Sequence, residues 1–171
     1  VGRVVVQGHD GLGQVGEGAG VGQRAPVLQA LAAGVGRQAL EGVLQRGDNK
    51  PFLLHYYPKA VFGDLPPAEQ ATAGERVPLE LVPVAAGGKL RFKVLAGGKP
   101  LAKVDVSVLV PGEVKGKDVA TDDAGLTPEF DKAGTYGAQV RRVEAQAGER
   151  DGKKFEEVRR YATLVVTLPG K

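Results

Sequence analysis

The densest group of reactive side chains in the chain is His55-Tyr56-Tyr57. An imidazole there could ligate a metal, with a carboxylate such as Asp64 or Glu80 completing the donor set. A second group, Asp118, Asp122 and Asp123, offers oxygen ligands of the kind Ca²⁺ takes. A third, Gly11-Leu12-Gly13-Gln14-Val15-Gly16, matches the G-x-G-x-x-G spacing of dinucleotide-binding loops and follows the apolar run Val4-Val5-Val6.

Each also has a plainer reading. His55 is one of only two histidines, the other being His9, and there is no Cys, so a complete imidazole or thiolate site within the chain is not expected. The expectation at 55–57 is a strand whose rings alternate between core and surface. The loop around Asp122 and Asp123 is too short for six or more Ca²⁺ ligands, and Asp in a turn satisfies neighbouring backbone N–H groups. The weak metal candidates are therefore His55, Asp122 and Asp123, with no catalytic residue and no bound cofactor expected. The glycine motif needs a helix opening behind it so that its N-terminus faces a pyrophosphate. Here Glu17-Gly18-Ala19-Gly20-Val21-Gly22 follows, which resists helix, and a chance match in a Gly-rich tract is the expectation. Ser107 stands in an expected strand with no histidine near it in sequence, which does not support a Ser nucleophile.

The elements that would position these groups fall into two unlike parts. Residues 1–50 are expected as a Gly-rich, partly disordered or helical segment. Residues 26–46 carry Leu28, Leu31, Val35, Ala39 and Val43 at three- and four-residue steps, behind Pro26, and predict a helix. Gly34, Gly36 and Gly42 weaken it by about 1 kcal/mol each relative to Ala. Residues 47–51 read as a linker.

From residue 51 to 171 the period becomes two. Leu90, Phe92 and Val94 alternate with Arg91 and Lys93. Val104, Val106, Val108 and Val110 share a face, and Ala162, Leu164, Val166 and Leu168 oppose Tyr161, Thr163, Val165 and Thr167. Residues 54–61 are interrupted by Pro58 and are expected at a sheet edge. With 26 Gly and 11 Pro punctuating the chain, about seven strands are expected, in an all-β, antiparallel, immunoglobulin-like sandwich.

Charge is nearly balanced, with 23 Lys plus Arg against 20 Asp plus Glu, so nucleic acid is not implied. Arg141, Arg142, Lys153, Lys154, Arg159 and Arg160 gather on one expected hairpin, but Glu144, Glu149, Glu156 and Glu157 interleave with them. A solvated edge that resists strand pairing is favoured over a polyanion-binding face. No apolar stretch is long enough to span a bilayer and no signal-peptide pattern is visible; the chain begins with Val, and an alternative start or a fragment is expected.

Gly98-Lys99-Pro100-Leu101-Ala102 leading into Val104-Asp105-Val106-Ser107-Val108, then Thr121-Asp122-Asp123-Ala124-Gly125 and Ala133-Gly134-Thr135-Tyr136, resemble the hairpin, turn and strand entry of Cna-B-like and carboxypeptidase-regulatory-like domains. With His55-Tyr56-Tyr57-Pro58-Lys59-Ala60, Leu79-Glu80-Leu81-Val82-Pro83 and Glu157-Val158-Arg159-Arg160-Tyr161-Ala162-Thr163-Leu164, residues 52–168 resemble the bacterial domain of unknown function 4198, a NikM-like family associated with nickel uptake. The resemblance implies a periplasmic or secreted binding module, non-enzymatic, with a link to nickel or cobalt uptake. The alternatives are a scaffold presenting loops to a protein partner and a metal-dependent enzyme centred on His55. The family would open with a signal peptide and an extended His-containing first segment; residues 1–50 show neither, which fits a truncated or altered member. Related sandwich chemistries lack their residues here. An iron site of intradiol-dioxygenase type needs a second His. A Lys–Asn or Lys–Asp isopeptide bond has no Asn but Asn49 and no Asp in residues 161–168. The tail Thr167-Leu168-Pro169-Gly170-Lys171 does not match that of transthyretin-like hydrolases.

Overall fold

The alternating pattern beyond residue 51 does fold as strands. The computed structural model describes residues 3–6, 34–47 and 50–170, the first of these for its backbone only. The strands are β1 (Arg3–Val6), β2 (Gly34–Leu44), β3 (Phe52–Phe62), β4 (Leu79–Ala86), β5 (Lys89–Ala96), β6 (Lys99–Pro100), β7 (Asp105–Leu109), β8 (Lys117–Ala120), β9 (Gly134–Glu144), β10 (Gly148–Arg150), β11 (Lys153–Phe155) and β12 (Glu157–Leu168). A one-turn helix α1 (Ala68–Ala71) and a 3-10 turn (Gly74–Arg76) lie between β3 and β4. Residues 11–16, the Gly-rich stretch around them, His9 and residues 26–33 of the expected helix lie outside the described residues.

Seven strands form one sheet in the order β1-β2-β3-β12-β9-β7-β8, three form a second in the order β4-β5-β6, and β10-β11 is a separate hairpin. Every pair is antiparallel except β12 with β3. The two larger sheets close on one apolar core. Leu79 and Leu81 of β4 and Leu90, Phe92 and Val94 of β5 meet Val106, Val108, Tyr136, Ala138, Val140, Ala162, Leu164, Val166 and Leu168 of the seven-stranded sheet. These are the residues that period-two alternation places inward. The result is an all-β, sandwich-like fold.

The segment between β8 and β9 stitches the layers. Its backbone bridges β5 at Leu90–Phe130 and Lys93–Leu126. The buried Thr127 hydroxyl accepts from the Phe92 N–H and donates to the Pro128 carbonyl. The buried Thr121 hydroxyl accepts from the Val104 N–H and donates to the Leu101 carbonyl. Both polar groups are thus satisfied where water cannot reach them.

Two expectations are corrected. Residues 34–44, expected as part of a helix, are strand β2. Val35, Ala39 and Val43 are four residues apart, a spacing that keeps them on one face at a period of two as well as 3.6. Gly34, Gly36 and Gly42 disfavour the helix, and the open backbone of β3 offers a ladder instead. Strand β3, expected at an edge because of Pro58, lies between β2 and β12. The parallel ladder to β12 runs unbroken through Thr163↔Pro58. The ladder to β2 lapses between Arg37↔Lys59 and Leu40↔Tyr56 and resumes in the same register. The proline's missing N–H is accommodated in that lapse.

Candidate functional site

The inner face of the seven-stranded sheet is not apolar throughout. Residues two apart on a strand share a face, so His55 and Tyr57 of β3 face inward with Lys59 and Val61. By the same alternation Arg160 of β12 joins Ala162, Arg142 of β9 joins Val140, and Glu41 of β2 joins Val35. The pairings Glu41↔His55, His55↔Arg160 and Arg160↔Arg142 place these four residues in one row across four adjacent strands. The main core ends one row away, at Tyr57, Ala162 and Val140. A second apolar cluster of Leu53, Phe155 and Val158, with Val43 against it, lies on the other side. The charged row is a polar belt between two hydrophobic clusters.

Its members hold one another. Arg160 and Arg142 stand opposite each other, a like-charge arrangement that is unfavourable alone, and Glu144 bridges both. Glu41 lies 2.8 Å from Arg150 of the β10–β11 hairpin and 4.0 Å from Nε2 of His55. Glu41 Oε1 is out of line for a hydrogen bond to Arg150, so that contact is ionic. The Tyr57 hydroxyl lies 3.0 Å from His55 Nδ1, and the Arg160 guanidinium also approaches it. Either atom can donate in the His55–Tyr57 bond, according to the imidazole tautomer. Burial holds His55 below the usual imidazole range; Glu41 opposes the shift, while Arg160 and Arg150 add to it. Burial likewise pushes the Tyr57 phenol up. The two inner side chains are mostly covered, His55 at 19% and Arg160 at 18% exposure, whereas Arg142 and Arg150 are about half exposed. His55 Nε2 and Arg160 Nε are buried without a hydrogen-bond partner among the described residues.

A second buried polar group pins the segment around α1. Lys59 Nζ donates to Glu80 at 2.5 Å and to the carbonyls of Ala71 and Leu81 at 2.8 and 2.7 Å. Glu80 accepts in addition from the N–H groups of Ala73 and Gly74. Burial lowers the Lys59 amine to about 8, against the pull of Glu80. The cavity beside it, of about 20 Å³, has room for one water.

The residues singled out from sequence are dispersed. Glu80 is engaged by Lys59 and Asp64 is exposed, so neither stands with His55. Asp122 closes its turn: Oδ1 accepts from the Ala124 and Leu126 N–H groups, and Oδ2 pairs with Arg91 at 2.7 Å. These N–H groups and Arg91 lower its carboxyl. Asp123 pairs with Lys103, at 3.5 Å. Ser107 sits opposite Gln139 and Asp118 on β7, away from His55 on β3. Of the six basic residues, Arg142 and Arg160 turn inward and Arg141 and Arg159 outward, where Arg159 lies 3.8 Å over the Phe52 ring and pairs with Glu157, while Lys153 and Lys154 are exposed on β11. Glu41 was hidden from sequence reading by the helix expected around it. The signal that could have found it is the step of two from Val35 through Arg37 and Ala39 to Glu41 and Val43.

The donor set does not fit the nickel or cobalt that the resemblance implies. One His55 nitrogen is engaged by Tyr57, and the other faces a single carboxylate with two guanidinium groups nearby, which repel a dication. Among the described residues no three His, Asp or Glu side chains converge on a point where a metal could sit, and no helix is long and apolar enough to cross a membrane. Compared with family models, with curated proteins and with solved structures, the chain matches none.

Proposed function

We propose that the chain is a non-enzymatic binding module built on a β-sandwich, which recognises its ligand at the Glu41–His55–Arg160–Arg142 row. The observation that carries this reading is the row itself. A sheet face buried between two apolar clusters would be most stable if it too were apolar, because desolvating charges costs more than their pairing returns in many such sites. Polar groups kept there, with His55 Nε2 and Arg160 Nε buried and unpartnered among the described residues, support recognition over packing. The side chains in the row are held by ion pairs, and Ser107 lies on β7, away from His55 on β3, which supports binding over chemistry. Tyr136 donates its hydroxyl to the Lys132 carbonyl four residues upstream, the corner geometry of immunoglobulin-like sandwiches. That supports the carboxypeptidase-regulatory-like reading and, through it, an extracytoplasmic location. A link to metal uptake rests on the resemblance alone.

Two experiments test this. Amide and imidazole NMR of the labelled protein against a panel of small anions, sugars and short peptides should move resonances of the row. If every responsive partner moves only the loops, the scaffold alternative replaces this one. Calorimetric titration with Ni²⁺, Co²⁺, Cu²⁺ and Zn²⁺ should give no tight stoichiometric binding. Tight binding lost in His55→Ala would instead support a metal-handling module or a metal enzyme.

A further inference from the structure

We infer that residues 66–77, the part of the β3–β4 connection that carries α1 and the 3-10 turn, form a strap that undocks from the sandwich as one unit, uncovering the free edge of β4 with Val82 and Leu95 while both sheets stay folded.

Strand β4 ends the smaller sheet and pairs on one side only, with β5. The register identifies the groups on its other side. Leu81 stands opposite Val94, and Pro83 opposite Phe92. The N–H and carbonyl of Val94 bond Gly125 and Leu101, and those of Phe92 bond Thr127, all away from β4. The backbone groups of Leu81 and Pro83 therefore point to the open edge, a place that suits a residue without an N–H. A bare edge invites another strand, and an inward-pointing charge or a covering loop prevents it. Both are present. Lys59 donates to the Leu81 carbonyl of the edge and to the Ala71 carbonyl of the strap, so the strap lies along this edge. Ala71, fully buried, packs it against Val82 and Leu95.

Among the described residues, the hydrogen bonds from the strap to the sheets all involve a side chain. Arg37 donates to the Gln70 carbonyl at 3.1 Å and Lys59 to that of Ala71 at 2.8 Å, while Glu80 accepts from the Ala73 and Gly74 N–H groups at 2.8 and 3.3 Å. The backbone bonds of the strap stay within it, from Gln70 and Ala71 to Pro67, Thr72 to Glu69 and Val77 to Gly74. The stitching segment between β8 and β9 is tied differently, through backbone at Leu90, Phe92 and Val94. Release of the strap breaks no ladder and strands no charge, because Lys59 keeps Glu80 at 2.5 Å and Leu81 at 2.7 Å, both on β4. Few bonds and the small apolar surface of Ala68 and Ala71 hold it, which places the strap at the low end of local stability.

Amide exchange of the whole chain, followed by NMR at constant pH in low, graded urea, tests this. The N–H groups of Ala71, Thr72, Ala73 and Val77 should exchange through one shared opening. It should lie below that of Val94 in free energy and depend little on urea, since little surface is exposed. The Leu81 N–H, on the covered edge, should exchange with them. Gly87→Ala, at positive φ between β4 and β5 with open space around it, destabilises the sandwich away from the strap. It should lower protection at Val94 about fivefold and leave the strap unchanged. If the strap amides share the free energy and urea slope of Val94, or lose protection with it in Gly87→Ala, the strap opens only with the whole fold and the inference fails. Four unrelated opening free energies would show residue-by-residue fraying and overturn it, as would a Leu81 N–H that exchanges with Val94 and not with the strap.

Discussion

Glu41 and His55 face each other across β2 and β3, with Glu41 Oε2 4.0 Å from His55 Nε2, while the same carboxylate holds Arg150 of the β10–β11 hairpin at 2.8 Å. One acidic side chain therefore couples a buried imidazole to the hairpin that covers the end of the sheet.

Burial of that imidazole, which Glu41 only partly offsets, sets an acid limit on stability. The groups facing His55 are Glu41 on β2, Tyr57 on β3, Glu144 on β9, Arg150 on β10 and Arg160 on β12. His55 is held below its usual 6.5, so the unfolded chain takes up the proton first as pH falls. The stabilising contribution is complete above about pH 6.5 and declines as pH falls toward the lower folded value. Urea midpoints measured between pH 8 and pH 5 should fall through this range, and the fall should be shallower in His55→Gln. An identical slope in the two proteins would show that carboxylates elsewhere govern the loss.

Lys59 and Glu80 should behave as a unit. Removing one partner from a buried pair leaves a charge without compensation, at about 3–5 kcal/mol. Lys59→Met alone should cost that much by denaturant unfolding. Lys59→Met with Glu80→Gln should recover most of it, because the amide oxygen still accepts from the Ala73 N–H while the stranded charge is gone. The pH signature is distinct. With the amine at about 8 folded against 10.5 unfolded, the folded state binds fewer protons between these values. Stability contributed by this group therefore rises from pH 8 to 10.5 in the wild type and not in the double variant.

The fold was legible where side chains alternate strictly. Leu90, Phe92 and Val94, and Ala162, Leu164, Val166 and Leu168, are buried as the pattern dictates. It was illegible where spacing is ambiguous, since Val35, Ala39 and Val43 satisfy helix and strand alike. It was illegible also where one missing donor is absorbed by a lapse in the ladder, as at Pro58. The candidate site was harder still. His55 stood out by rarity, but its partners Glu41, Arg160 and Arg150 come from three other strands, and only the cross-strand register brings them together. Local composition carries charge, not which face that charge occupies.

The turn at Asp122 gives the last expectation. Gly125 has φ of +74°, and a Cβ there would meet the Val94 carbonyl oxygen at 2.9 Å and the Leu101 nitrogen at 3.0 Å. Its own carbonyl accepts from the Val94 N–H at 2.8 Å, so the backbone cannot withdraw without breaking a bond between the stitching segment and β5. Gly87 also has positive φ, +59°, but open space around it. Gly87→Ala should therefore cost only the conformational penalty, about 1 kcal/mol. Gly125→Ala should cost that plus displacement of backbone on two sides, about 3 kcal/mol or more in all. Equilibrium unfolding of the two variants compares them directly. Amide exchange at Val94 and Leu101 should quicken in Gly125→Ala alone, because the Val94 N–H bonds the Gly125 carbonyl and the Leu101 N–H bonds the Val94 carbonyl that the new Cβ meets, and equal costs at the two glycines would show that the segment over β5 yields freely.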